Sequence, residues 1–190
     1  MNKKVLVPIA DGSEEIEAVT IIDVLRRAGA RVTVAGIHSL QVTGAHGIRL
    51  LADMTVSECM DQSYDLIALP GGMPGSENLR NSIALSSLLI AQRDNDRWYA
   101  AICAAPAVVL APLGLLENRH ATCFPGFINQ LGGALHSEDR VVVDGRCITS
   151  QGPGSALEFA VKLVAVLFGN EKAAEVAAGM VLFPALLGGD

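Results

Sequence analysis

The chain has 190 residues, with 14 Lys and Arg against 20 Asp and Glu, and its net charge of −6 leaves no cation excess to cover a nucleic-acid backbone. Apolar residues make up 51% and charged residues 18%, a globular rather than a disordered composition. A chain of this length buries about 70% of its unfolded surface and needs neither disulfides nor a structural metal to fold. It reads as one domain, residues 1–190. With aromatics at 4%, the core must come from Val, Ile, Leu and Ala.

Lys4–Ala10 is a short apolar run stopped by Asp11-Gly12, the pattern of a buried strand followed by a turn. Ser13–Ala28 has helical spacing, with Ala18, Ile21, Ile22 and Leu25 on one face. Ser13 is placed to cap it, the acids Glu14, Glu15 and Glu17 suit its positive end, and Gly29 ends it. Arg31–Gly36 alternates as a strand, and Gln41–Ala52 is a small extended region broken by Gly44 and Gly47. Tyr64–Leu69 is a buried strand stopped by Pro70-Gly71-Gly72, and Ile83–Arg93 is helical. Trp98–Ile102 is a strand, Ala104–Leu113 a short helix, and His120–Cys123, Arg140–Val143 and Cys147–Ser150 short strands. Gly154–Phe168 and Glu171–Ala178 are helices.

Near-continuous apolar strands alternating with helices belong to a parallel sheet covered on both faces. In such sheets, sites form beyond the carboxyl ends of the strands. Three of those ends carry unusual residues: Asp11–Glu17, Pro70–Gly75 and Cys103.

Trp98–Leu116 holds 19 residues without a charge, long enough to raise a membrane span. Pro106, Pro112 and Gly114 argue against it, and the run divides better into a buried strand and a buried helix meeting at Cys103. The basic start MNKK leads into an apolar run too short for a signal peptide. Cys59, Cys103, Cys123 and Cys147 form no CxxC pair and no Cys/His cluster, so free thiols in a reducing cytoplasm are expected, with no metal site.

Cys103 lies in AAICAAP, at a strand-to-helix turn among small residues. Small neighbours allow the sharp turn that pushes a nucleophile out of the sheet, and the following helix amides are expected to lower the thiol pKa. A packed core cysteine is the bland alternative. Glu17 shares a helical stripe with Ile21, Val24 and Ala28, which turns its carboxylate inward. There a raised pKa fits it for proton transfer beside a thiol, whereas a first-turn glutamate usually serves only the helix. Glu14 and Glu15 read as solvated or capping groups. LPGGMPGS offers the amides of Gly71 and Gly72 as an oxyanion hole, though it also reads as a plain turn. It is neither a P-loop nor a GxGxxG. Of the histidines, His46 stands out because it is flanked by glycines that bring the backbone near the site; none of the four has metal-binding spacing. GPGSALEF starts the last core helix at Pro153.

GSEEIEAVTIIDVLRRAGARVTVAG (12–36), YDLIALPGG (64–72), AAICAAP (100–106) and TSQGPGSALEFA (149–160) occur in one order along the chain. In these pieces the sequence resembles the ThiJ/PfpI superfamily, in its YajL-like branch, over essentially its whole length. The resemblance implies a flavodoxin-like α/β three-layer sandwich, related to class I glutamine amidotransferases, and a homodimer. It places the reactive nucleophile at Cys103, its partner acid at Glu17 and oxyanion-stabilising amides at Gly72 and Ala104; Gly71, His46 and Pro153, read from the chain itself, are the further oxyanion or substrate-binding candidates. It also implies cofactor-independent chemistry on small aldehydes, namely glyoxals, and on their early adducts with proteins and nucleotides. Members are described as oxidative-stress proteins and redox-dependent chaperones as well.

The chain departs from the superfamily in places. A protease-like branch has histidine directly after the nucleophile, where this chain has Ala104, so a Cys-His protease lacks its base. Phe124 stands where a relative has histidine, and His46 where relatives often have arginine. A glyoxalase or deglycase is the leading expectation, and a thiol redox sensor or chaperone the alternative. The older label of thiamine biosynthesis finds no phosphate-binding loop to support it.

Overall fold

The computed structural model describes residues 3–182. Chain order runs β1 (Lys4–Ile9), α1 (Glu15–Arg27), β2 (Arg31–Gly36), the β3–β4 hairpin (Gln41–Thr43 and Arg49–Leu51), β5 (Met54–Thr55) and β6 (Leu66–Leu69). It continues with α2 (Gly75–Arg80), α3 (Ile83–Asp94), β7 (Trp98–Ile102), β8 (His120–Ala121), β9 (Leu135–His136), β10 (Val141–Asp144) and β11 (Cys147–Ser150). The helices α4 (Ala156–Phe168) and α5 (Asn170–Gly179) follow.

The seven-stranded central sheet has the order β10-β11-β7-β6-β1-β2-β5. Every pairing is parallel except β10 with β11. Alternate residues of β1 serve opposite layers: Val5, Val7 and Ile9 join one core with α1, α4 and α5, and Leu6 joins the other with α2 and α3. Burial on both faces is why these strands read as unbroken apolar runs. This is the expected mostly parallel three-layer α/β sandwich.

The topology also sets the place of the site. From β1 the chain moves outward to β2 and β5, then returns to β6 on the other flank of β1 and goes on to β7 and β11. The loops after β1 and β6 therefore leave in opposite directions, the switch point at which sites form in such sheets, and here they pack against each other, the Glu14 amide donating to the Gly71 carbonyl at 3.0 Å.

Three expectations about the elements need correction. The cap of α1 is Glu14, which accepts from the Glu17 amide at 2.8 Å. Ser13 instead accepts from the Ala10 amide at 3.0 Å and closes the strand-to-helix turn. Ala104–Leu113 is no α-helix: Pro106–Leu110 forms a wide π turn and Ala111–Leu113 a 3₁₀ turn. Pro112 has no N–H to donate and its ring crowds the preceding turn, so the regular ladder cannot continue. The expected strand His120–Cys123 pairs only over His120–Ala121. The short helix α2 after Gly72 was not anticipated.

Among the described residues, no helix is long and apolar enough to cross a membrane. The uncharged run becomes β7, the turn at Cys103 and the two tight turns behind it. In the sequence, the apolar C-terminal tail from Val176 hints at a covered surface. Its part after Leu182 lies outside the described residues.

Candidate active site

Cys103 follows β7 with φ of 64°, left-handed backbone that a residue with a Cβ adopts at a cost of about 1–2 kcal/mol. Two bonds hold it there: its amide donates to the Ser150 carbonyl at 2.9 Å, and its carbonyl accepts from the Phe124 amide at 2.8 Å. The predicted elbow is therefore present, fixed by β11 on one side and by the segment after β8 on the other. The residue is 8% exposed, against 0–2% for the other three cysteines.

Glu17 is fully buried, as its stripe on α1 requires. Its Oε2 accepts from the Gly71 amide at 2.7 Å. Its Oε1 has no conventional hydrogen-bond partner among the described residues. Burial pushes this carboxyl up to about 7, against the pull of the Gly71 amide and the Cys103 thiol and with a smaller push from the Glu14 charge.

The thiol departs from expectation. Burial, and then the Glu17 charge, push Cys103 up to about 12, while the amides of Gly72 and Ala104 pull the other way. The expected lowering by helix amides exists but loses to desolvation and to a neighbouring carboxylate. Thiol and carboxyl thus form a coupled pair that gives up one proton near neutrality and holds the second.

Gly72 and Ala104 both direct amides at the sulfur. Gly71 was expected to share that role and does not, because its N–H is committed to Glu17. Gly71 has a steric duty instead: a Cβ there would lie 2.6 Å from the Cys103 Cβ. Gly71→Ala is accordingly expected to destabilise the fold by about 1–3 kcal/mol through overpacking, read as a lower urea midpoint.

His46 lies beside the acids that open α1, and its ring is largely exposed. Its Nδ1 is 3.0 Å from Glu15 Oε2 and 3.7 Å from Glu14 Oε1. Glu15, expected to be solvated or capping, is buried and also accepts from the amides of His46 and Ile48 at 2.7 and 3.2 Å. Burial works to raise the Glu15 pKa, but these bonds outweigh it and hold it below 4.5. The hydrogen bond to Glu15 in turn raises His46. Glu15 therefore clamps the β3–β4 hairpin onto α1, a role that only long-range folding reveals.

Glu14, Glu15 and His46 are also the one group among the described residues whose ligand atoms come close enough to share a cation. No spacing in the sequence announced it, since 31 residues separate Glu15 from His46. Pro153 begins a 3₁₀ turn ahead of α4, next to Gly152, and makes no hydrogen bond to the thiol or to Glu17.

A family model described as the DJ-1/PfpI family matches residues 3–166. Protein DJ-1 homolog B of Arabidopsis thaliana is 48% identical over 96% of the chain, which spans only 42% of that relative's length. A Caenorhabditis elegans protein named glutathione-independent glyoxalase DJR-1.2 is 38% identical over 88% of the chain and 89% of its own. Among solved structures, that of oxidized Toxoplasma gondii DJ-1 superposes with a TM-score of 0.93 at 46% identity, covering 95% of this chain and 98% of that one. The match to the family model, the shared fold and relatives of this identity over most of the chain place it in the DJ-1/PfpI family.

Proposed function

We propose that the chain converts 2-oxoaldehydes such as methylglyoxal into 2-hydroxy acids, with Cys103 as nucleophile and Glu17 as the proton-transfer group. The observation that carries this reading is a strained, partly accessible thiol paired with a buried carboxyl whose pKa stands at about 7. The name of the nematode relative points the same way.

The Cys103 sulfur adds to the aldehyde carbon, and the carbonyl oxygen takes up the pair's proton to give a hemithioacetal. Glu17 then removes the hydrogen on that carbon as a proton and returns it to the neighbouring ketone carbon. The proton of the first carbon's hydroxyl passes to the ketone oxygen, so the first carbon becomes a thioester carbonyl and the second a carbinol. Water cleaves the thioester, releasing the hydroxy acid and the thiol. One carbon is oxidised as its neighbour is reduced, so the sum is aldehyde plus water, with no external oxidant. The amides of Gly72 and Ala104 stabilise the oxyanion formed on attack. On a hemiaminal carbon the sulfur would displace the amine, which leaves with the pair's proton as the C–N bond breaks, giving the same hemithioacetal and reversing early glyoxal adducts of proteins and nucleotides.

The test is proton NMR of methylglyoxal with purified protein and no added thiol, where lactate should appear as methylglyoxal disappears. Consumption without lactate, or only when glutathione is supplied, sinks the reading. Oxidation of Cys103 is a second reading, favoured by its being the most exposed of the four thiols. It suits a redox sensor or chaperone in a reducing compartment such as the cytoplasm.

A homodimer is part of the proposal. Ile16 and Val19 on α1, with Ile48 and Leu51 of the clamped hairpin, are exposed apolar residues on elements joined by Glu15. A second copy is the occupant we assign to them. Leu51→Glu should then shift the sedimenting species from dimer to monomer, and a monomeric wild type would remove this part.

A further inference from the structure

We infer that the chain carries a second binding site, at the end of the sheet opposite Cys103, which takes the phosphate group of a small anion. It is independent of the reaction assigned to Cys103.

The central strands β1, β6 and β7 are parallel, so the residues at their starts gather at one end of the sheet, and Cys103, which follows β7, lies at the other. Register fixes the order there. Val5 stands beside Leu66 and Leu66 beside Trp98, so one residue earlier Lys4, Asp65 and Arg97 form a row. Backbone bonds run through it: the Asp65 amide donates to the Lys4 carbonyl at 2.8 Å, and the Trp98 amide to the Asp65 carbonyl at 3.3 Å. Two strand spacings set the Lys4 and Arg97 backbones roughly 10 Å apart, close enough for both long side chains to meet one ligand. A cavity of about 250 Å³ opens at this row, lined by Lys4, Ser63, Tyr64, Asp65 and Arg97. Tyr64 belongs to one of the two core layers, so the cavity is a recess against packed interior and not a gap among free side chains.

The charge of this recess runs against that of the chain. The one acid in its wall is already engaged: Asp65 Oδ2 accepts from the Lys4 amide at 2.8 Å, and Oδ1 meets the Lys3 ammonium at 3.5 Å. The acids that flank Arg97 in sequence are taken as well, Asp94 by Arg93 at 2.8 Å and Asp96 by Arg146 at 3.1 Å. Among the described residues, Lys4 and Arg97 are left without an ion pair. Two uncompensated cations thus line one small recess in a protein of net charge −6. Like charges held together repel, and an anion between them turns that repulsion into attraction. A phosphate monoester carries close to two negative charges at neutral pH, which matches the two cations. Arg97 offers a planar fork of N–H donors and Lys4 a compact charge. The exposed Ser63 hydroxyl adds a further donor. The cavity is smaller than those that enclose drug-sized ligands, so the ligand is free phosphate or the phosphate end of a small ester.

The experiment titrates the protein with inorganic phosphate and with glycerol phosphate, ionic strength being held at about 0.15 M with sodium chloride. Binding is read by calorimetry and by broadening of the phosphorus NMR line, and each variant is checked for folding by its thermal melt. Saturable binding of one equivalent per chain is expected. Tighter binding of the ester identifies an esterified ligand, and equal binding identifies free phosphate. Arg97→Gln and Lys4→Gln should each weaken binding about 10-fold, the scale of one hydrogen bond to a charged group, and the double variant should abolish it. Arg97→Lys should recover part of the loss. Lys172→Gln removes a cation that pairs with Glu175 on α5 and should bind as wild type does. Absence of saturable binding by both readouts overturns the inference, as does a double variant that binds like wild type. A loss in Lys172→Gln equal to that in Arg97→Gln would mark general charge attraction and overturn it too.

Discussion

Cys103→Ser is expected to lower kcat/KM for methylglyoxal by at least about 10³-fold, or roughly 4 kcal/mol of transition-state stabilisation. The serine hydroxyl would occupy the same strained turn, beside the same Gly72 and Ala104 amides, so the proposed oxyanion site would survive. What disappears is a polarizable sulfur able to share one proton with a carboxyl. Lactate production in a stopped assay measures the effect. Cys59→Ala is the control: that thiol is buried in the opposite core layer with Leu85 and Leu89, and its loss should leave turnover in place. Retention of wild-type rates by Cys103→Ser, with its fold intact, would falsify the nucleophile assignment.

Glu17→Gln is expected to move activity and stability in opposite directions. A carboxyl at about 7 in the folded chain ordinarily titrates near 4.5. The native state thus keeps a proton that the unfolded chain releases across that window. The stability this contributes is complete below pH 4.5 and disappears as pH rises through 7, which costs about 3 kcal/mol at pH 8. Glutamine keeps an oxygen for the Gly71 amide and carries no charge, so the variant should escape that cost. Its melting temperature at pH 8 should exceed that of wild type by about 5–10 °C, with little difference at pH 4.5. Turnover should fall by about 10²–10⁴-fold, the usual share of a positioned proton-transfer group. In wild type, kcat/KM should rise with pH through about 7, as the coupled pair loses its first proton. In the variant this arm should be absent, and the rise should follow the thiol alone at higher pH. A variant less stable than wild type at pH 8 would show that the buried carboxylate is not a strained group.

Much of this was legible in the chain. β2 and β7 stand at their predicted bounds because short apolar runs ended by Gly or by a tight turn carry their own limits. Glu17 was legible because helical periodicity alone decides which way a first-turn residue faces. The Cys103 elbow was legible from its small neighbours.

Other features depend on contacts that no local pattern encodes. Gly71 turned from oxyanion donor to anchor because its one N–H meets Glu17, 54 residues away. Glu15 turned from surface acid to clamp because the hairpin delivers two amides and an imidazole to it. The thiol pKa rose rather than fell because burial and a neighbouring charge outweigh two amides, a balance set by distances and not by residue types. The uncharged run from Trp98 to Leu116 shows both sides. Its composition settled that most of it would be buried, since uncharged strands and turns can be covered on every face, and from Tyr99 to Leu110 it is. Only the folded sheet decided where it breaks, because the left-handed backbone of Cys103 is held open by Ser150 and Phe124, which join it only in the assembled structure.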